Sequence, residues 1–519
     1  MSDAAPQAAG AASAPLAVHM RGICKRFGKL QANDHVELKV RSGSVHGVVG
    51  ENGAGKSTLM SVLYGFYQAD AGEISVYGER AHIRNADDAI ALGIGMVHQH
   101  FMLVESLSVL DNVLLGAEAH WLLRPAQAQA RARLLALMQS TGLQVDLDAR
   151  IGSLNVGDRQ RVEILKALYR GAKILILDEP TAVLTPQETQ QLFAVLRQLR
   201  SQGTSTILIT HKLKEVLALC DDITVMRAAR VVLELTAERA SLEVLAQAMV
   251  GRKVQLGRVA REGAAPGEVL LRAQGLNVRD ALGVARLRDV SLAVRAGEIV
   301  GIAGVSGNGQ SELLDVLSGL LRPDSGTLEL GAARFAAENW LQPRGARALG
   351  QAHVPEDRHA RALVLPFAAW ESAVLGYEEQ PAHSRWGWMR RGQLRRLTQG
   401  LLERFDVRPR NARLRSSQFS GGNQQKLVLA RELAQAPRVL LVGQPTRGVD
   451  IGAIEFIYGQ LRARRDAGCA VLLVSGELDE ILALSDRVLV MHQGAIAGEL
   501  AGADCSEAAL GLLMSGAGA

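Results

Sequence analysis

An internal repeat constrains the fold of this chain more than any other feature. The stretch VHGVVGENGAGKSTLMSVLYG from Val45 returns as IVGIAGVSGNGQSELLDVLSG from Ile299. Further along, LNVGDRQRVEILKAL from Leu154 returns as FSGGNQQKLVLAREL from Phe419, in the same order. Because ordered repeats of this kind mark repeated structural units, the sequence predicts two copies of one domain.

The length of the chain and the positions of the repeat predict the domain boundaries. A chain of 519 residues exceeds what one hydrophobic core usually serves. We predict a disordered tail over residues 1–15, a first domain over 16–250 and a second domain over 269–516. The segment 251–268, GRKVQLGRVAREGAAPGE, is rich in Gly, Ala and Arg and lacks apolar periodicity, which is typical of a linker.

Short aliphatic runs alternate with helical patterns in both copies. The runs ILIL, TILIT, VLLV and AVLLV predict buried strands, and TQQLFAVLRQLRSQ has apolar residues at helical spacing. This alternation is typical of a mainly parallel sheet covered by helices, so each copy is predicted to be α/β. Helical spacing over residues 126–140 and 390–405 predicts a helical insertion in each copy.

Composition and charge exclude several classes of function. The formal net charge of +5, from 58 basic and 53 acidic residues, is small for this length and does not by itself indicate a nucleic-acid binder. The cysteines Cys24, Cys220, Cys469 and Cys505 lie far apart and fit neither a disulfide framework nor a zinc site. With no apolar run long enough to cross a bilayer and no secretory leader, we expect a cytoplasmic location.

A phosphate-binding loop is the strongest single motif. Gly50-Glu-Asn-Gly-Ala-Gly-Lys56-Ser57 matches G-x-x-x-x-G-K-[ST] between an aliphatic strand and a helix. Backbone N–H groups and the helix N-terminus would face the phosphates, with Lys56 at the β- and γ-phosphates and Ser57 on Mg²⁺. The alternative is a Gly-rich turn without a ligand. The nucleotide-binding residues expected here are Gly50, Asn52, Gly53, Gly55, Lys56, Ser57 and Thr58.

Two carboxylates, Asp178 and Glu179, follow the aliphatic run that begins at Ile174. Carboxylates at the end of a strand can hold the coordinated waters of a metal ion and polarise an attacking water. Alone, such a pair could simply begin a solvated loop. Together with Lys56 in one α/β domain, it predicts a site that hydrolyses a nucleotide.

The segment Ser420-Gly421-Gly422-Asn423-Gln424 is similar to the LSGGQ signature of the ATP-binding cassette (ABC) family, and a Walker-B-like run follows the matching block in both copies. The resemblance covers nearly the whole chain. It implies two tandem P-loop ATPase domains, each with a helical signature subdomain. The order of blocks resembles the tandem ATPases of bacterial importers for simple sugars and nucleosides, and MVHQHFMLV is most similar to the nucleoside-uptake branch.

The resemblance also implies roles for single residues. Phe27 would stack on adenine, with a packed core position as the alternative. Gln99 and Asp178 would bind Mg²⁺. Glu179 would be the general base, and His211 the histidine near the γ-phosphate. The signature residues that would bind nucleotide are Ser420, Gly421, Gly422 and Asn423.

The second copy departs from the family pattern at each catalytic position. Its replacements are Gln310 for the phosphate-binding Lys, Gly443 for the metal-binding Asp, Gln444 for the base, Gly476 for the histidine and Glu356 for the loop Gln. These changes are expected to remove the cation, the metal carboxylate and the proton acceptor. The second copy should therefore not hydrolyse ATP.

The first copy departs from the pattern at its signature, which reads LNVGD from Leu154. Resemblance to the family implies that cassettes pair head to tail, so that each ATP lies between one phosphate-binding loop and the other signature. The altered catalytic residues of the second copy and the altered signature of the first copy then belong to the same composite site. The other composite site keeps every group, including Asp450, whose counterpart in the first copy is Thr185. The sequence thus predicts an intramolecular cassette dimer with one catalytic site and one degenerate site.

The leading interpretation is the energy-coupling ATPase of a bacterial-type importer for nucleosides or simple sugars, with ATP and Mg²⁺ as cofactors. Its partners would be transmembrane permease subunits and an extracytoplasmic substrate-binding protein, and it would lie peripherally at the cytoplasmic face of the membrane. The apolar stretch 101–104 would contact the permease, with packing inside the cassette as the alternative. Tandem cassettes acting on ribosomes are disfavoured by the short linker and the single intact site, and DNA-repair ATPases by the scattered cysteines.

Overall fold

The computed structural model describes residues 15–98, 101–116, 123–181, 184, 186–253, 257–259, 265–305 and 307–514. The chain divides into two compact units, Met1–Val254 and Gln255–Ala519. The division falls inside the segment 251–268 that the sequence marks as a linker. The predicted tail, apart from residue 15, lies outside the described residues.

The first unit combines two sheets. Its strands are β1 (Leu16–Phe27), β2 (Leu30–Arg41), β3 (Val45–Gly50), β4 (Ala71–Val76), β5 (Glu79–Ala81), β6 (Ile94–Val97), β7 (Ile174–Asp178), β8 (Ser205–Thr210), β9 (Asp222–Arg227) and β10 (Arg230–Thr236). One sheet has the order β10-β9-β3-β8-β7-β6 and is parallel except for β10, and the other is antiparallel with the order β2-β1-β4-β5.

Helices cover the larger sheet of the first unit and form its helical insertion. They are α1 (Lys56–Leu63), α2 (Ala86–Ala91), α3 (Val109–Leu114), α4 (Leu123–Thr141), α5 (Val156–Tyr169), α6 (Pro186–Ser201), α7 (Leu213–Leu219) and α8 (Leu242–Val250). The insertion predicted over residues 126–140 is α4, which packs against α5.

The second unit repeats this plan. Its strands are β11 (Val269–Arg279), β12 (Ala285–Arg295), β13 (Ile299–Ala303), β14 (Ser325–Leu330), β15 (Ala333–Ala336), β16 (Gln351–Val354), β17 (Ser384–Arg385), β18 (Trp388–Met389), β19 (Val439–Gly443), β20 (Ala470–Val474), β21 (Arg487–His492) and β22 (Ala495–Ala501). The sheet orders are β16-β19-β20-β13-β21-β22 and β12-β11-β14-β15, and β17 and β18 form a separate hairpin.

The helices of the second unit follow the same order along the chain. They are α9 (Gln310–Ser318), α10 (Pro343–Ala348), α11 (Arg358–Arg361), α12 (Ala369–Ser372), α13 (Arg391–Arg404), α14 (Gly421–Ala434), α15 (Ile451–Asp466), α16 (Leu478–Leu484) and α17 (Glu507–Met514). The insertion predicted over residues 390–405 is α13.

The central strands explain why the sequence folds in this way. Every residue of β7 and of β19 is buried, and both strands read as almost continuous aliphatic runs. Such runs suit parallel strands that are covered on both faces. The predicted α/β class is confirmed. Because the carboxyl ends of parallel strands meet at one edge of a sheet, the loops after β3, β7 and β8 lie together and can build a site.

Candidate nucleotide-binding site

The first phosphate-binding loop joins β3 to α1. Gly53 and Gly55 have left-handed backbones, with φ of 85° and 102°, and Gly55 directly precedes the helix. A Cβ on Gly55 would run into the carbonyl oxygen of Ala32. Glycine therefore lets the loop curl tightly ahead of α1, whose N-terminal N–H groups can bind an anion.

Lys56 begins α1 and is buried. Its Nζ donates hydrogen bonds to the carbonyl oxygens of Gly50, at 2.7 Å, and Glu51, at 3.0 Å. These bonds hold the ammonium group against the loop. A buried cation beside an anion-binding loop matches the negative charge of nucleotide phosphates, so this part of the site fits the expected ligand.

Asp178 ends β7 beside the start of α1. Its buried carboxyl is hydrogen-bonded to Ser57, and burial raises the pKa of this carboxyl above its usual value while the Ser57 hydrogen bond opposes the shift. Ser57 itself is exposed. A hydroxyl and a carboxylate side by side offer the hard oxygen donors that Mg²⁺ prefers, so the two residues fit a magnesium site.

Glu179 follows β7 with a left-handed backbone, φ 48°, which is uncommon for a residue with a side chain. Its N–H donates to the carbonyl of Ile209 at 2.9 Å, and one carboxylate oxygen lies 2.8 Å from Nδ1 of His211. Burial alone would raise the pKa of Glu179, but the His211 hydrogen bond and nearby positive charges bring it below its usual value. Glu179 is therefore ionised at neutral pH, as a general base must be.

Phe27 ends β1 with 41% of its surface exposed. Its ring meets Tyr67 edge to face with centroids 5.0 Å apart, and the Lys25 ammonium lies 5.6 Å from its centroid. The alternative of a packed core position is therefore wrong, and the stacking role of Phe27 stays a prediction. Sequence reasoning missed Tyr67, because no motif marks it.

Gln99 and His100 lie outside the described residues, so the role of Gln99 in binding Mg²⁺ stays a prediction. The preceding His98 stacks on Phe66 with ring centroids 5.4 Å apart. Burial, followed by a nearby lysine charge, lowers the pKa of His98 below its usual value. His98 is therefore a neutral, packed side chain at physiological pH.

A cavity of about 270 Å³ borders the stretch 101–104. Met102 lines it with 61% of its surface exposed, and its N–H donates to the Glu163 carboxylate at 2.6 Å. The backbone of the stretch is thus anchored inside the cassette, whereas the Met102 side chain is not packed away. The alternative of packing inside the cassette therefore applies to the backbone at Met102 but not to its side chain, and the permease contact stays a prediction.

The described glycines of the second phosphate-binding loop have the same left-handed backbones as those of the first. Gly307 and Gly309 have φ of 92° and 98°, and Gln310 begins α9 where Lys56 begins α1. Gln444 has the same left-handed backbone as Glu179, φ 46°, and its side-chain Oε1 accepts the N–H of Gly476 at 3.2 Å. At these described positions the second unit therefore keeps the backbone of the first, with neutral amides in place of the ammonium and the base.

A carboxylate lies beside the second loop although Asp is absent at position 443. Ser311, the counterpart of Ser57, donates its hydroxyl hydrogen bond to Glu356 Oε2 at 2.6 Å. The physical reason is space, because a Cβ on Gly443 would lie only 2.5 Å from Glu356 Cγ. Glu356 therefore fills the volume that a side chain at position 443 would need. The expected loss of metal binding in the second unit stays a prediction.

The signature of the second unit begins α14. Ser420 is the exposed N-cap, and its Oγ accepts a hydrogen bond from Asn423 Nδ2 at 2.8 Å. A Cβ on Gly421 would meet the carbonyl oxygen of Gly448 at 3.1 Å, and Gly422 is buried. The two glycines thus leave the helix N-terminus open beside the Ser420 hydroxyl.

The signature of the first unit differs at the same helix terminus. Asn155 caps α5 and accepts the Asp158 N–H at 2.8 Å. Val156 follows it, partly exposed, where the second unit has Gly421. The terminus therefore carries a branched side chain and a cap that is already bonded.

Comparison with known proteins decides the family. Residues 33–182 and 287–447 match the ABC transporter family. The chain belongs to the ABC transporter family. It is 44% identical over 499 residues to the guanosine import ATP-binding protein NupO of Bacillus subtilis (strain 168), covering 96% of this chain and 97% of that protein. It is 43% identical over 499 residues to the nucleoside import ATP-binding protein NupA of Lactococcus lactis subsp. cremoris (strain MG1363). This match covers 96% of this chain and 98% of that protein.

A solved complex of the archaeal ribosomal stalk protein aP1 with the archaeal ribosome recycling factor aABCE1 resembles both units. The TM-score is 0.61 at 19% identity, over 90% of this chain and 87% of that chain, and this likeness shows the fold alone.

Membership of the family settles the coarse activity. The chain is an ABC ATP-binding protein, and its ATP hydrolysis is coupled to transport, as predicted. As a transporter subunit it is associated with a membrane. Across the described ranges, no helix combines the length and apolar character needed to span a bilayer.

Proposed function

We propose that this chain drives the import of nucleosides, acting at the cytoplasmic face of the membrane with permease subunits and a substrate-binding protein. The support for this substrate class is the identity of 44% and 43%, over nearly the whole chain, to proteins named for guanosine and nucleoside import. The likeness to the ribosome recycling factor is one of fold, so it does not favour a ribosomal function.

The proposed mechanism depends on the side chains around Glu179. Its carboxylate, oriented by the His211 hydrogen bond of 2.8 Å, would accept the proton of the attacking water. Lys56 would bind the β- and γ-phosphates. Ser57 and Asp178, together with Gln99, would hold Mg²⁺, which neutralises charge on the phosphate oxygens.

The hydrolytic site would be completed by the signature of the second unit. The residues that would face the nucleotide from there are Ser420, Gly421, Gly422 and Asn423. This pairing is supported by the way in which the lost catalytic and signature residues are distributed between the two units. The first unit keeps its base and loses its signature, and the second unit keeps its signature and loses its base. Losses that ignored the pairing would have damaged both composite sites.

The test is uptake by cells that express this chain with its permease and binding protein, compared with cells that lack only this chain. Labelled guanosine and labelled ribose are offered separately. Chain-dependent guanosine uptake, abolished by Glu179→Gln, is the expected result. Chain-dependent uptake of ribose alone would contradict the substrate class, and uptake of neither would contradict import.

A further inference from the structure

In the second unit, two departures from the family pattern meet at one place. Strands β16 and β19 are parallel neighbours, with Val354 beside Val442. The loop after β16 therefore lies next to the end of β19. Glu356 is in that loop and Gly443 ends β19, so the added carboxylate and the missing side chain are neighbours in space.

The contacts show that the two departures depend on each other through space. A Cβ on Gly443 would lie 2.5 Å from Glu356 Cγ, 2.8 Å from Leu314 Cδ1 and 3.0 Å from the Glu356 nitrogen. Glycine is thus required here by space and not by backbone conformation. Glu356, which stands where the family has the loop Gln, occupies the space that a side chain at position 443 would need, and Gly443 leaves that space free.

Glu356 is bonded to the serine of the second loop that corresponds to Ser57 in the first. In the first unit Asp178 is bonded to Ser57. In the second unit Glu356 Oε2 accepts the hydroxyl of Ser311 at 2.6 Å. Each pair thus joins one carboxylate to the second residue of the helix that follows the phosphate-binding loop, which is a donor set that suits Mg²⁺.

We propose that Glu356 and Ser311 bind the divalent cation of a nucleoside triphosphate held at the second phosphate-binding loop. This goes beyond the proposed import function and does not depend on the transported substrate. The glycine turn and the N-terminus of α9 remain as an anion cradle. Gln310 brings no charge, so the cation offsets the phosphate charge there. Gln444 is an amide, so the nucleotide is retained and not cleaved.

A difference in metal dependence follows from this arrangement. At the first loop, the Lys56 ammonium still attracts phosphates when the metal is removed. At the second loop, Gln310 provides no such charge, so nucleotide binding is lost with the metal. Removal of divalent cations should therefore abolish binding at the second loop and only weaken binding at the first.

The experiment uses the full chain carrying Lys56→Ala together with Asp178→Asn, which removes both the cation and the metal-binding carboxylate of the first loop. Binding of Mn²⁺ in the presence of ATP is followed by electron paramagnetic resonance. Adding Glu356→Gln should weaken Mn²⁺-dependent ATP binding by about tenfold or more. The matched control is Glu329→Gln, which removes the same charge from β14 of the same unit and should leave binding unchanged.

A relocation variant separates a metal-ligand role from a structural one. Gly443→Asp alone should weaken Mn²⁺ binding because it collides with Glu356. Gly443→Asp combined with Glu356→Gly, which returns the carboxylate to the strand end, should restore it. The proposal is overturned if the chain carrying Lys56→Ala and Asp178→Asn binds no Mn²⁺ with ATP, if Glu356→Gln matches its control, or if ATP binds equally well without a divalent cation.

A separate observation concerns the hairpin of β17 and β18. Trp386 and Gly387 form its turn, both with left-handed backbones, φ 54° and 79°, and Arg385 pairs with Trp388. Trp386 is 87% exposed and Trp388 is 81% exposed. Two tryptophans this exposed on one short hairpin mark an interaction surface.

The charge around this hairpin identifies the kind of partner. Residues 380–396 contain five arginines and no Asp or Glu. Those arginines are Arg385, Arg390, Arg391, Arg395 and Arg396. Tryptophan concentrates at the boundary between lipid and water, and each arginine near an anionic membrane surface contributes about 1 kcal/mol of attraction.

We further infer that this hairpin inserts Trp386 and Trp388 into the headgroup region of an anionic phospholipid bilayer. The exposed arginines, which are Arg385, Arg390, Arg391 and Arg396, would bind the lipid phosphates, whereas Arg395 packs over the ring of Trp370. The inference rests on the exposed tryptophans and on the uniformly positive charge of residues 380–396. It is independent of the nucleotide sites. It gives the chain a direct lipid contact in addition to its protein partners.

The test is flotation of the purified full chain with phosphatidylcholine vesicles that contain or lack phosphatidylglycerol. We expect binding to the anionic vesicles that falls by about tenfold or more when Trp386→Ser and Trp388→Ser are combined. Leu282→Ser is the control, because Leu282 is 88% exposed at the tip of another hairpin. Absence of binding to anionic vesicles, or binding unaffected by the tryptophan changes, would overturn the inference and favour a protein partner.

Discussion

At the scale of single residues, Glu179 and Gln444 show what the two units share. Their φ angles are 48° and 46°, and each N–H donates to the carbonyl of the neighbouring strand, Ile209 or Val474. The unusual backbone therefore persists where the base has been lost. Because the backbone is the same, the chemical difference between the units lies in the side chains that it presents.

The first prediction concerns these side chains. Glu179→Gln or Lys56→Ala should lower the ATPase rate of the assembled transporter by about 100-fold or more, since each removes a group that the proposed mechanism requires. Gln444→Ala is the control and should change the rate little. ATPase assays on the reconstituted transporter check this. Similar losses from all three variants would contradict a single catalytic site.

The second prediction concerns pH. The His211 hydrogen bond and nearby positive charges hold the pKa of Glu179 below its usual value against the effect of burial. In His211→Ala burial acts with less opposition, so the pKa rises and the base becomes protonated at a higher pH. The fall of the residual kcat on acidification should therefore begin at a higher pH than in wild type. His19→Ala, a histidine paired with Glu37 elsewhere, should leave the profile in place; an unshifted profile in His211→Ala would contradict the assignment.

At the scale of elements, the sequence predicts most of what the structure shows. The aliphatic runs become the buried strands β7, β8, β19 and β20, and the helical insertions lie at α4 and α13, because periodicity and burial are local properties. The link between Glu356 and Gly443 was not predicted. Both changes were visible in the sequence, but their contact depends on the pairing of β16 with β19, which joins residues far apart in the chain.

The third prediction tests the loop that joins β3 to α1. Gly55→Ala combines a left-handed backbone with a collision against Ala32, so it should weaken ATP binding at the first site by about tenfold or more. Gly203→Ala is matched in backbone, with φ 88°, but nothing lies within 4 Å of its added Cβ. It should retain ATP affinity and lose only about 1 kcal/mol of stability. Fluorescence titration with ATP measures the affinity of each variant. Equal ATP affinity in Gly55→Ala and Gly203→Ala would contradict the close-packing role of Gly55.

At the scale of the whole molecule, ATP hydrolysis must be coupled to a partner in the membrane. The fourth prediction concerns coupling. Met102 is 61% exposed beside a cavity, and charge at this position should disrupt an apolar permease contact. Met102→Asp with Leu103→Asp should release the chain from membranes that contain the permease while ATP binding is retained. Unchanged membrane association and transport would contradict the contact.

The last prediction concerns repair of the second site. Restoring the family residues with Gln310→Lys, Gly443→Asp and Gln444→Glu should add little hydrolysis. An aspartate at position 443 would compete with Glu356 for the same space, since the Cβ alone comes within 2.5 Å of Glu356 Cγ. Adding Glu356→Gln relieves the excess charge but keeps a side chain of nearly the same volume, so Glu356→Gly is the appropriate companion change.

Even with that companion change, the proposed head-to-tail pairing leaves a second obstacle. The first signature presents Asn155, already bonded to Asp158, and the branched Val156, where the second presents a serine and a glycine. A displacement of about 1 Å in the bound nucleotide can lower a rate roughly 100-fold. Single-turnover ATPase in a Glu179→Gln background measures the repaired site alone. Hydrolysis should appear only when Asn155→Ser and Val156→Gly accompany the repair, and strong activity without them would show that the first signature does not limit the second site.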